Sequence, residues 1–351
     1  MIGIDEVARA AGVSITTVSR ALSGRGRVSE ATRERVRQTA ERLGYVVTAA
    51  AATLASGRAQ NVGVVVPLLD RWFFATVLDG IAAQLAPHGY DLTLYALTDD
   101  PAQRRGLFET SLRRRRVDGL IVLSGLLTDD EVAHVATLGL PVVGLGVPRG
   151  EFPSLRVDDT AVGRTATEHL LQRGHRDIAH ISATLSPTSG ADPEFEIPSR
   201  RRRGYEAAMA DAGIRAPRFA EADFTIDGGR RAAHALLRSA QPPTAIFAAS
   251  DEMAYGVLTA ARELGLSVPG DLSVVGVDGH DLAGLFDLTT IDQFPHAQGE
   301  RAGEAILAAL EAPEPTETAL AAASLPFELV VRGSTAAPPA EAAPHRSRGP
   351  A

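Results

Sequence analysis

Between Ser14 and Arg20 the chain reads SITTVSR. In a helical projection Thr16, Thr17, Ser19 and Arg20 gather on one side, while Val18, Ala21 and Leu22 gather on the other. Hydroxyls and a guanidinium on one exposed face can bind phosphate oxygens and base edges, and arginine can meet guanine with two parallel hydrogen bonds. A second set of residues suits a smaller ligand. Trp72-Phe73-Phe74 follows an apolar run and the short loop LLDR, and three adjacent aromatics out of seventeen exceed what core filling asks of one strand exit. Ring faces of this kind fit the C–H face of a sugar or the plane of a base. The run Arg200–Arg203 offers guanidinium forks for paired hydroxyls or a carboxylate. Asp278 closes the apolar stretch SVVGV, and a carboxylate at a strand's carboxyl end can accept two hydroxyls. Asp251 directly follows AIFAAS, where capping a helix and complementing its dipole is a sufficient role.

These side chains need rigid mounts. Two short helical patterns meet at Ala11-Gly12-Val13, where glycine permits a tight turn and Ser14 is placed to cap the second helix, Ile15 to Leu22. A third helix, Glu30 to Leu43, follows the cap candidate Ser29 and ends at Gly44. The pattern predicts a helix-turn-helix whose second helix enters the major groove of DNA; a plain three-helix bundle is the competing reading. From Asn61 onward, short apolar strands alternate with amphipathic helices, as in parallel α/β sheets. Predicted strands are Val62–Val66, Asp91–Leu97, Gly119–Leu123, Val142–Leu145, Ile178–Ser182, Ala245–Ala249 and Ser273–Val277. That series is too long for one sheet. The polar, proline-containing stretch Ser186–Ser199 reads as a loop near a cleft mouth.

Charge is divided unevenly. Residues 1–60 hold nine arginines against five carboxylates, a net of +4, so the remainder of a chain of net −8 carries −12. A basic head on an acidic body fits electrostatic docking of the head on phosphate. All 35 basic residues are arginine, which a GC-rich coding genome explains. The chain has no cysteine, so disulfides and thiolate metal sites are excluded. No signal peptide precedes Ile4 and no apolar run approaches the roughly 18 residues that span a bilayer, so a cytoplasmic protein is expected.

The first 45 residues resemble the headpiece of the lac repressor family of bacterial transcription regulators, through AxxAGVSxxTVSRxL followed by VSxxTRxRVxxxAxxLGY. The resemblance runs on through about 330 residues, with VGVVVP, VDGLIVL, LRVDD, HLLQRGHRDIAHI, SDEMAYGV, SVVGVDG, LTTIDQ and LVVRGS. It implies an α/β two-lobed core like that of the periplasmic binding proteins, parallel sheets flanked by helices, behind an all-α helix-turn-helix headpiece. The implied division is a headpiece at 1–46, a hinge at 47–60, a core at 61–335 and a disordered tail at 336–351. Within the core the N-lobe takes about 61–159 plus 292–322 and the C-lobe about 160–288 plus 323–335. Crossings between lobes are expected near Asp158–Thr160, Asp287–Gln293 and Ala321–Leu325, with ligand between the lobes.

By the same resemblance Ile15, Thr16 and Arg20 read bases, while Ser14, Thr17, Ser19, Ser23, Arg27, Thr32 and Tyr45 lie on or beside the DNA backbone. A hinge helix, about Ala49 to Ser56, folds on the operator; its Leu54, with Ala51 one turn earlier, enters the minor groove and kinks the duplex. Val47 and Thr48 replace the family's usual Pro-Asn, and Ala52 a commonly polar residue; a linker that never folds is the alternative. Effector positions carry over to Phe73 and Phe74 beside Trp72, and to Arg201, Phe224, Asp251 and Asp278. Ser250 replaces the asparagine often found before the Asp251 position. The implied partners are operator DNA, a small carbohydrate effector and a second copy of the chain. The Ala/Pro-rich tail lacks the heptads of a tetramerising coiled coil. Nucleobases are the main alternative effectors, and a sugar-binding receptor is the rival from another class.

Enzymatic readings find little support. Gly144–Gly150 lacks dinucleotide-loop spacing, and no Walker loop, GxSxG elbow or HExxH helix occurs. His175 and His180 read as structural, and His280 beside Asp278 as a loop histidine rather than half of an acid–base pair. No catalytic residue, metal ligand or cofactor is expected.

Overall fold

The computed structural model describes residues 2–23, 26–45, 57–98, 100–114, 116–123, 127–146, 152–183, 197–311 and 323–339. The expected hinge helix, with Ala51 and Leu54, lies outside the described residues, as do residues 186–196 of the expected cleft-mouth loop.

Three helices build the headpiece: α1 (Ile4–Ala11), α2 (Ile15–Ser23) and α3 (Glu30–Leu43). Gly12 adopts φ +68, a left-handed turn conformation that glycine takes without a Cβ penalty, and turns α1 into α2. Ser14 Oγ accepts the Thr17 amide at 3.1 Å and caps α2; Ser29 Oγ does the same for Thr32 at 3.3 Å and caps α3. Val7, Ala8, Ala11, Val18, Ala21, Val36 and Ala40 form the small buried core.

The body contains two six-stranded sheets. The first holds β1 (Asn61–Val66), β2 (Asp91–Ala96), β3 (Gly119–Leu123), β4 (Val142–Leu145), β5 (Ser154–Arg156) and β11 (Ala323–Ser324), all parallel, in the order β11-β5-β4-β3-β1-β2. The second holds β6 (Ile178–Ala183), β7 (Arg218–Ala222), β8 (Ala245–Ala248), β9 (Ser273–Asp278), β10 (Thr289–Asp292) and β12 (Glu328–Val330), in the order β12-β10-β9-β8-β6-β7, with only β12 antiparallel. Both faces of each sheet are covered, which is why β1 can be a run of valines: Val62, Val64 and Val66 join one core while Val65 joins the opposite one. Each buried valine or isoleucine contributes on the order of 1.5–3 kcal/mol.

Helices α4 (Trp72–Leu85) and α11 (Pro295–Glu311) pack together on the first sheet, and α5 (Pro101–Gly106) and α6 (Asp129–Ala136) lie on its other side. The second sheet is covered by α7 (Asp159–Gln172) and α8 (Ile197–Asp211) on one face, and by α9 (Ile226–Leu237) and α10 (Asp251–Glu263) on the other. The chain passes between sheets after β5, after β10 and between β11 and β12.

Three expectations need correction. Ala323–Ser324 pairs with β5 and so belongs to the N-lobe sheet, which moves the third crossing to Leu325–Phe327; Asp292 stays in the C-lobe sheet beside Asp278. The expected disordered tail begins too early, because the Ala336 amide donates to Ser273 Oγ (3.0 Å) and its carbonyl accepts from His175 Nε2 (2.9 Å). Residues 197–199 of the expected loop form the first turn of α8.

Candidate functional site

On the headpiece, Ile15, Thr16 and Arg20 are exposed along α2, with Ile15 51% accessible despite being apolar. Opposite them Val18 and Ala21 are buried, so the helix is fixed by its back while its front faces solvent. The Arg20 stem runs beside Gly26: a Cβ there would stand 3.1 Å from Arg20 Cδ. Thr17 and Thr32 are half-buried, and their hydroxyls pair with those of Ser14 (2.8 Å) and Ser29 (2.9 Å). Arg27 is exposed, Ser19 is half-buried, and the Ser23 side chain lies outside the described residues. Tyr45 is half-buried against the headpiece core. Ion pairs Arg9–Asp5, Arg33–Glu30 and Arg37–Glu34 occupy three of the five headpiece carboxylates, leaving the surplus positive charge on the surface.

The second site lies at the carboxyl ends of both sheets. Each sheet reverses its strand order there, beside β1 in one and β6 in the other, which opens a crevice between diverging connections. Helices α7 and α8 approach so closely that a Cβ on Gly163 would collide with the Arg201 carbonyl, and one on Gly204 with that of Thr160. That approach sets Arg201 beside Asp159, with Nε donating to Oδ1 at 2.9 Å. Its Nη1 donates to the Ala249 carbonyl at 2.6 Å and its Nη2 to Gln293 Oε1 at 3.0 Å. Gln293 in turn donates to Asp278 Oδ1 at 2.9 Å. The network therefore joins two crossings to the ends of β8 and β9.

Asp278 is 7% exposed and has φ +130, a strained conformation for any residue but glycine. Burial pushes its carboxyl well above the usual range; Arg201 opposes the shift and the nearby Asp251 carboxylate adds to it. Asp251 is fully buried. Its Oδ1 accepts from Thr290 Oγ1 (2.6 Å) and its Oδ2 from the His280 amide (2.8 Å), and burial raises it to about 6. Gly276 makes room for it, since a Cβ there would strike Asp251 Oδ1. Asp251 thus braces the turn after β9.

The aromatic residues divide. Phe73 and Phe74 meet edge to face at 5.5 Å and pack in part against the core. Trp72 reaches the other lobe: its ring stacks on His280 at 4.4 Å and Nε1 donates to Asp281 at 3.1 Å. Arg71, just before it, donates to the Phe224 carbonyl (3.4 Å) and lies 3.6 Å from Glu252. Phe224 has φ +57 and packs in part on the C-lobe core. His280 Nδ1 accepts the Leu282 amide at 3.0 Å, so that nitrogen carries no proton and the ring serves the loop. His175 bonds Thr244 and Ser273, and His180 is buried inside β6 against Phe247. Among the described residues no group of side chains is arranged to hold a metal ion, and no helix is long and apolar enough to cross a membrane.

Sequence reasoning did not single out Arg71, Asp159, Glu252, Asp281 or Gln293. Asp159 and Gln293 stand in LRVDD and LTTIDQ, at the expected crossings, and that position was the available signal. Arg71, Glu252 and Asp281 carried none.

Family models match at two places: bacterial regulatory proteins of the lacI family over residues 3–47, and a periplasmic binding protein-like domain over residues 167–335. The HTH-type transcriptional repressor CytR of Escherichia coli (strain K12) is 34% identical over 340 residues, covering 95% of this chain and 96% of its own. A lac repressor dimer bound to operator and the anti-inducer ONPF superposes with a TM-score of 0.81 at 26% identity, covering 96% and 99% of the two chains. A complex of the transcriptional regulator CelR with cellobiose gives 0.67 at 29% identity, covering 95% and 100%.

Proposed function

The chain belongs to the lacI family of bacterial regulatory proteins, and we propose that it is a cytoplasmic, dimeric repressor that binds a near-palindromic operator under the control of a small carbohydrate. One observation carries the reading: the same chain holds an exposed recognition helix bearing Arg20 and, between two sheets, a buried hydrogen-bonded chain from Arg201 through Gln293 to Asp278. Ile15, Thr16 and Arg20 read bases, with Ser14, Thr17, Ser19, Ser23, Arg27, Thr32 and Tyr45 holding the backbone. In the cleft, Asp278 accepts ligand hydroxyls, Arg201 and Gln293 orient it, and Phe73, Phe74 and Phe224 supply ring faces. The lac repressor dimer on its operator and the cellobiose-bound regulator support the partner and ligand classes assigned here.

Sheet polarity couples the two ends. The linker enters at the amino end of β1, whereas the ligand residues cluster at carboxyl ends. Ligand that favours one lobe orientation over another shifts the spacing of the two linkers in a dimer, and acts only through its different affinity for the two states. No catalytic step is assigned. Selection of bound duplexes from a random-sequence pool tests the reading. A near-palindrome whose binding responds to one member of a panel of sugars, sugar phosphates and nucleobases is expected, and recovery of no preferred sequence would refute it.

A further inference from the structure

The N-lobe sheet is wholly parallel, so its strands begin at one end, and the headpiece linker arrives there. The amides of Ala59 and Gln60 both donate to the Asp118 carboxylate at 2.7 Å, and Asn61 Nδ2 donates to the Arg116 carbonyl at 3.1 Å. The last linker residues are thus fastened to the connection that leads into β3. That connection carries the run Arg113–Arg116, four consecutive arginines on a body whose net charge is −12. Arg113, Arg114 and Arg116 are exposed, and among the described residues none of the three is in an ion pair. Three carboxylates at this end offset them in part. Asp118 is occupied by the two amides, Asp91 is an exposed single charge at the start of β2, and Glu311 ends α11 next to the carbonyl that Arg58 reaches.

We propose that this amino-end face of the N-lobe is a second DNA-contacting surface, in which Arg113, Arg114 and Arg116 bind phosphates of the duplex beneath the linkers. The inference rests on the operator-binding reading and extends it from the headpiece to the core. The chain from Tyr45 to Gly57 spans at most about 45 Å. A seated headpiece therefore tethers the face beside a polyanion, where weak contacts form intramolecularly at high effective concentration. Guanidinium groups suit phosphate geometry. The contacts would add affinity without reading sequence.

The test titrates the full-length chain and its R113Q/R114Q/R116Q variant with two duplexes of about 40 base pairs, one of mixed sequence and one selected by the wild type, across a salt series. Each lost phosphate contact flattens the slope of log K against log salt by about 0.9, so a loss of up to about 3 per protomer is expected. The thermal midpoint and Trp72 emission should match the wild type. Equal slopes for the two proteins would overturn the inference while leaving operator binding standing; a wild type that binds neither duplex would overturn both. Should the triple variant lose its melting transition, the three single variants, each at an exposed position, carry the same slope measurement.

Discussion

Arg201 and Asp278 do not pair directly: Gln293 stands between them, its oxygen 3.0 Å from Arg201 Nη2 and its nitrogen 2.9 Å from Asp278 Oδ1. The uncharged amide offers separate atoms for the two jobs, an oxygen that accepts from the guanidinium and a nitrogen that donates to the carboxylate. Gln293 follows β10 directly, where the chain leaves the C-lobe sheet, so its amide fixes the spacing of the two charged C-lobe groups on which ligand binding is proposed to rest.

Replacing Gln293 by leucine keeps the volume and leaves both partners buried without this bond. A loss of about 2–4 kcal/mol in stability is expected, together with loss of the ligand response on a chain that still binds DNA. Asp278→Asn is the milder probe. It keeps an acceptor for Gln293, removes a costly buried charge, and should weaken carbohydrate binding about 10- to 100-fold with little change in melting. Calorimetric titration of the responding sugar decides it, and unchanged affinity would remove Asp278 from the site.

Arg71 and Trp72 hold the two lobes together from one turn of chain, through Glu252, the Phe224 carbonyl, His280 and Asp281. In Arg71→Ala the indole is expected to leave His280 and meet water, shifting emission to the red and raising the radius of gyration. The stability cost should stay near 1 kcal/mol, because the ion pair is only partly buried. Emission and scattering identical to wild type would show that the lobes do not depend on this latch.

The legible and illegible parts of the chain differ in physical kind. Gly119–Leu123 and Val142–Leu145 were readable because a strand buried on both faces must be continuously apolar, whatever it packs against. Arg218–Ala222 was not, since an edge strand reading RFAEA is half solvated, and Thr289–Asp292 was masked by threonines. Thr289 there bonds the Arg332 carbonyl and amide and takes its own amide bond to Ser334. At the candidate site, Asp278 stood out because it closes an apolar strand, and the carboxyl ends of strands are where ligands gather in such sheets. The latch could not, because Arg71 and Glu252 are 181 residues apart and nothing local links a loop arginine to a helix glutamate. Asp251 was visible as a helix start, but its buried bonds to Thr290 and the His280 amide are tertiary.

Arg20 offers the test of base reading. It is exposed on a helix whose other face is fixed by Val18 and Ala21. Arg20→Ala should cost roughly 1–3 kcal/mol on the selected operator and far less on random duplex, with an unaltered headpiece melt. Equal losses on the two duplexes would make Arg20 a phosphate contact.

The buried carboxylates predict a pH dependence whose sign follows from burial. Asp251 is raised to about 6, and Asp278 is raised beside it. Unfolded, each releases its proton near the ordinary value of about 3.9. Between that value and about 6 the folded chain holds a proton that the unfolded chain has lost. The stability it confers is complete at the acid end and disappears as pH rises through about 6. His169, lowered to about 4, and His180, lowered to about 3, act in the opposite sense, since burial keeps them neutral while the unfolded chain protonates below about 6.5. The net curve therefore mixes two trends. Comparison with Asp251→Asn separates them, because the histidines are common to both proteins. Relative to the variant, the wild type should gain about 1.4 kcal/mol per pH unit as pH falls across the window, on the order of 3 kcal/mol in all. Denaturant melts of both proteins from pH 7.5 to 3.5 measure that difference, and a flat difference would mean that Asp251 stays ionised in the fold, held by Thr290 and the backbone amides alone.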